Sequence, residues 1–136
     1  MAGTATITYT KGSAKGGYSI DKYSVAFVGD HVTGAFPVAT ITGPEGSITG
    51  YLKRVSRIPG VTPPTAGNTV IVADGDGVDL GAGLMVGNGA AAVADYYIAN
   101  AAINGSITIT PSGSTAIDAN LVVTIYIETG NALMAA

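Results

Sequence analysis

The chain has 136 residues, of which 47% are hydrophobic and 11% charged, with a formal net charge of -3 and no cysteine. Such a length holds one domain, read here as residues 1–136, and the wealth of Gly, Ala, Thr, Val and Ile favours packed strands over solvated helices or disorder. The absence of thiols excludes disulfides and thiolate metal sites. No apolar run approaches the roughly 20 residues that a membrane helix needs, and the opening Met-Ala-Gly-Thr-Ala-Thr lacks the basic and apolar regions of a secretion signal. The expectation is a soluble protein made in the cytoplasm, with no membrane partner.

In chain order, residues 4 to 10 alternate threonines with Ala5, Ile7 and Tyr9, the two-residue period of a half-buried strand. Residues 11–17 are small and basic and read as a flexible stretch. Residues 22 to 28 place Tyr23, Val25 and Phe27 on one side. Residues 36–42 and 47–58 flank Gly43-Pro44-Glu45-Gly46, whose turn chemistry predicts a hairpin. Pro59 to Asn68 cannot continue a ladder, because proline has no N–H to donate, and reads as a loop. Thr69 to Ala73 follows as a short strand. Residues 81–104 lack a clear period: Ala90 to Asn104 is compatible with a short helix, a long loop or another strand, and the segment is read as mixed and mobile. Two clear strands close the pattern: Ser106 to Thr110 buries Ile107 and Ile109, and residues 120–128 place Leu121, Val123, Ile125 and Ile127 on one face, with a turn predicted from Pro111 to Thr115. Residues 130–136 read as a flexible tail. About seven or eight strands and frequent turns predict an all-β fold, either an antiparallel β-sandwich or a small jelly-roll-like barrel.

Charge is uneven along the chain. All six cations, Lys11, Lys15, Lys22, Lys53, Arg54 and Arg57, lie in the first 57 residues, and the part beyond residue 60 carries six acids and no Lys or Arg. Phosphate binding needs clustered cations, so nucleic acid is not an expected partner. Lys53, Arg54 and Arg57 form the one concentrated cationic run, and regular alternation would put Lys53 and Arg57 on one face with Arg54 on the other. That run is read either as a solvated face that discourages edge pairing or as a contact with an acidic surface. The stretches around Lys11 and Lys15 and around Leu133 and Met134 are further expected partner contacts, since flexible segments often order on a neighbour.

Asp74-Gly75-Asp76-Gly77-Val78-Asp79 brings three carboxylates within six residues. Asp74, Asp76 and Asp79 are the candidate ligands for Ca²⁺, a hard cation held by oxygens. The spacing departs from the EF-hand loop, which wants glycine sixth and glutamate twelfth where this chain has Asp79 and Met85. The competing reading is a glycine-rich turn whose Asp side chains bond nearby amides. Catalysis has little to stand on: the single histidine, His31, follows Asp30 in a turn, G-x-S-x-G is absent, and no Trp offers a sugar platform. Tyr96-Tyr97 on a strand would face opposite ways. The chain is expected not to be an enzyme and to need no cofactor.

Two stretches, Val72 to Gly83 and Asn104 to Pro111 with Leu121 to Ile127, resemble the C-terminal half of small structural proteins of tailed phages. There a D-x-D-G-x-D turn and a glycine-rich segment precede a closing hairpin. The resemblance covers roughly residues 47–128, and residues 1–46 have no counterpart in it. It implies a virion component, with decoration of the capsid exterior as the most economical role. The major capsid protein would then be a partner, and self-association, a trimer first, is expected. A tail or head–tail joining protein and a Ca²⁺-assisted carbohydrate-binding or adhesin module are the alternatives.

Overall fold

A computed structural model describes residues 3–12, 18–43, 46, 48–80, 89 and 94–130. The described residues contain eight strands and no helix: β1 (Thr4–Thr10), β2 (Tyr18–Val28), β3 (Ala39–Ile41), β4 (Ile48–Pro59), β5 (Thr69–Asp74), β6 (Ala94–Gly105), β7 (Ile107–Ser112) and β8 (Asn120–Gly130). They form two antiparallel sheets, one of five strands in the order β1-β2-β8-β4-β6 and one of three in the order β3-β7-β5. Among the described residues neither sheet closes on itself or on the other, so the expected sandwich is the observed form and the closed barrel is not.

Alternation builds the core. Tyr23, Val25 and Phe27 of β2, Leu121, Val123, Ile125 and Ile127 of β8, and Leu52 and Val55 of β4 line the inner face of the larger sheet, all buried. They meet Ala39, Ile41, Val70, Val72, Ile107 and Ile109 from the smaller one. Packing two apolar faces removes from water the surface that would otherwise oppose folding. Five strands over three leave the larger sheet overhanging at β1, where Ile7 has the inward parity of Val25 yet stays 43% exposed.

Four sequence expectations are corrected. Gly46 N–H donates to the Gly43 carbonyl, and both glycines have positive φ. The flanking strands make no hairpin, because β3 pairs β7 in one sheet while β4 pairs β8 and β6 in the other. Residues 94–105, read as part of a mixed mobile segment, form β6, which covers the free edge of β4; pairing overrides the weak strand propensity of alanine. Pro59 ends β4 opposite Leu121 and so belongs to the strand, not to the loop. Pro111 likewise lies within β7 opposite Val70, two residues beyond the end of the β3 ladder, where a missing N–H is tolerated.

The β2–β3, β4–β5 and β7–β8 connections meet at one end of the sandwich. Gly29 N–H donates to the Ala119 carbonyl (2.8 Å), Asn120 N–H to the Thr62 carbonyl (2.7 Å) and Gly60 N–H to the Asn120 carbonyl (2.9 Å). Thr65 N–H donates to Ser114 Oγ (3.2 Å), and Thr115 N–H to Thr65 Oγ1 (3.0 Å). Backbone bonds between loops make this end a tied cluster.

Candidate functional site

The expected cationic run resolves into an outer patch and an inner guanidinium. Between Leu52 and Arg54 the register of β4 against β8 slips by one residue, so Lys53 is the extra residue of a bulge. The slip keeps Leu52, Val55 and Arg57 on the inner face and leaves Lys53 and Arg54 outside. The expectation that Lys53 and Arg57 share a face is therefore wrong. Arg57 is fully buried, its Nη2 donating to Asn68 Oδ1 at 2.8 Å, and takes no part in an exposed surface.

On the outer face of the larger sheet, pairing aligns Ile20, Glu128 and Tyr51 in one row and Lys22, Tyr126 and Arg54 in the next. Lys53 Nζ lies 3.6 Å from Glu128 Oε2, and the Arg54 guanidinium carbon sits 4.7 Å above the Tyr126 ring. Ile20 and Tyr51 are exposed, at 38% and 49%. Adjacent strands lie about 4.8 Å apart, so these two rows make one continuous surface. It holds two tyrosines, three cations and one carboxylate on paired strands, and of these Tyr51, Tyr126 and Arg54 are of the residue types enriched in the anchors of protein interfaces. Lys22 and Tyr126 escaped the sequence reading because they join Arg54 only through pairing across about 30 and 70 positions of chain, and Tyr51, three residues from Arg54 on the same strand, shares its face only because of the bulge at Lys53.

Of the other expected contacts, Lys11 is exposed just past β1, at the end away from the loop cluster. Lys15, Leu133 and Met134 lie outside the described residues, as do residues 13–17 and 131–136 of the expected flexible stretches 11–17 and 130–136, whereas Gly130 is the last residue of β8. The strand β6 carries Tyr96 and Tyr97, whose side chains also lie outside the description.

Asp74 is the last residue of β5 and is buried. Its Oδ1 accepts from the N–H groups of Asp76 (3.0 Å) and Val78 (3.3 Å), and Gly77 N–H donates to its carbonyl at 2.9 Å. The carboxylate thus holds a turn, the arrangement of the competing reading. Among the described residues no three His, Asp or Glu side chains come together to hold a metal ion.

His31 and Asp118 were not paired in the sequence reading, yet their side chains meet at 2.8 Å across the β2–β3 and β7–β8 loops, with both largely exposed. Asp118 carries the positive φ of 56° that its short polar side chain tolerates. Beside them, the Thr33 and Val32 amides donate to Asp30 and hold its carboxyl below the usual range. A further opening, of about 300 Å³, lies at the overhang between β1 and β3, lined by Ile7, Tyr9, Tyr23, Ile41 and the Thr40 to Gly43 backbone stretch. At its foot Tyr9 O–H and Gly12 N–H donate to the buried Asp21 carboxylate (3.2 and 3.0 Å).

Fold and surface together define a class: a small open β-sandwich with an exposed cation–tyrosine face. No protein-family model matches the chain, and no curated protein matches it.

Proposed function

We propose that this protein is a structural binding module, and within that class a decoration protein that stabilises a tailed-phage capsid by bridging major capsid protein subunits. The observation that carries the reading is the outer face of the larger sheet. Lys22, Lys53 and Arg54 surround Tyr51 and Tyr126 on paired strands, a surface suited to an acidic protein partner. The tailed-phage resemblance of residues 47–128 supplies the finer part of the proposal. A ligand that binds the assembled shell and not its free subunits stabilises the shell by mass action, and repetition makes weak contacts strong.

Cryo-electron microscopy of the particle that carries this chain tests the proposal. Density for the sandwich on the capsid exterior, bridging capsid subunits, is the expected result. Density confined to the tail would move the protein to a tail or joining role, and particles without the chain would overturn the virion reading.

A further inference from the structure

The loop cluster and the sheet face are complementary in charge and in shape of exposure. At the loop end, Val32, Val61 and Ile117 stand 74%, 98% and 49% exposed, one from each of the three connections. The bonds between these loops hold the three aliphatic tips in fixed relation. Asp30 and Asp118 flank them, Asp118 bonded to His31 at 2.8 Å, and residues 29–38, 60–68 and 113–119 contain no Lys or Arg. The end is therefore an acid-edged apolar knob. About 20 Å further along β8, at the strand rise of about 3.3 Å per residue, lies its opposite: Tyr51 and Tyr126 edged by Lys22, Arg54 and Lys53, the last of these 3.6 Å from Glu128.

We propose that the loop end of one copy docks on the outer sheet face of a second copy. Val61 and its two neighbours cover Tyr51 and Tyr126, and Asp30 and Asp118 approach Lys22 and Arg54. The inference rests on the outer face being a protein contact, and it takes a second copy of this chain, not a capsid subunit, as what occupies that face. A contact between like loop ends is disfavoured, because it would oppose Asp30 and Asp118 to themselves. The contact joins two different surfaces, so it repeats: successive copies close a ring or extend a chain. The knob lies at the end of the strands and the patch on their face, so neighbouring copies stand at an angle to one another.

Sedimentation velocity of the full chain, from low micromolar to submillimolar concentration, tests this. The wild type associates, and does so less as salt rises, since the flanking charges are screened. Val61→Glu removes the knob and leaves the patch; Lys22→Glu with Tyr51→Glu removes the patch and leaves the knob. All three sites are exposed, and unchanged circular dichroism and melting establish that each variant is folded. Each alone weakens association roughly tenfold or more, and an equimolar mixture of the two forms a one-to-one dimer that grows no further. A wild type that stays monomeric throughout, or a mixture with no dimer, overturns the inference. Neither result touches the decoration reading, which is decided on the particle.

Discussion

Arg57 is a charge that the fold has taken inside. A guanidinium is planar and holds its charge at every accessible pH, so burying it demands hydrogen-bond acceptors. Asn68 supplies one, and its own amide N–H group donates to the Thr65 carbonyl at 2.7 Å, tying β4 to the loop before β5. Asn68→Ala is expected to lower stability by about 2 to 3 kcal/mol, the cost of a lost hydrogen bond to a buried charge. The pair Arg57→Met with Asn68→Leu should recover most of that, which urea denaturation of the two variants would show. Tyr23 gives a pH-dependent prediction. Burial first, then the neighbouring Tyr9 and Asp21, push its phenol from 10.0 up to about 12. The folded state therefore keeps this proton between pH 10 and 12 while the unfolded chain loses it. The associated stability is intact below that window and is lost as pH rises through it. Tyr23→Phe should show a shallower fall of the urea midpoint across the same range. The side that Tyr23 shares with Val25 and Phe27 was legible in the alternation of residues 22 to 28, and the environment of Arg57 was not. One inserted residue at 53 moves Arg57 to the opposite face from Lys53, and nothing in the one-dimensional pattern marks a bulge.

At the scale of elements, local periodicity was readable and pairing was not. The strands at 22–28 and 120–128 show strict alternation because one face is buried, and that is why their inner residues were foreseen, whereas the same alternation at 4–10 leaves Ala5 and Tyr9 half-buried and Ile7 exposed. The strand at 94–105 hides because its alanines and asparagine carry little apolar contrast, and its place is set by the edge of β4. The hairpin expected at 43–46 fails for a related reason: turn chemistry reverses the chain but does not choose the sheet each arm joins. The patch inherits this limit, since Arg54 was visible in the sequence and its cross-strand neighbours were not. Loop packing makes its own prediction at Gly34. Its φ is +76°, and a Cβ there would meet the Thr115 carbonyl carbon at 2.3 Å. Gly34→Ala combines left-handed strain with a backbone clash and should cost about 2 kcal/mol or more, read as a lower melting temperature. At the β5 turn, Asp74→Ala leaves two amides without their acceptor and should cost about 1 to 2 kcal/mol. The melting temperature of the wild type should not change on adding a chelator; a drop would assign the 74–79 turn a bound cation.

At the scale of the whole molecule, β8 decides the architecture. It is the central strand of the five, paired on one side to β2 and on the other to β4. Its contacts reach far back along the chain, as in the bond of 3.1 Å between Ser24 Oγ and Thr124 Oγ1. A fold built on such distant pairing has to close long loops before any contact rewards it. Refolding from urea is therefore expected in milliseconds to seconds, not microseconds, by stopped-flow fluorescence of the tyrosines. The position of β8 also bears on how the protein is made. Of the eight strands it leaves the ribosome last, and until it does, β2 and β4 have no partner between them and the inner faces have no centre. A chain that ends before residue 120 therefore lacks the strand that joins β2 to β4, and the larger sheet cannot assemble from what precedes it.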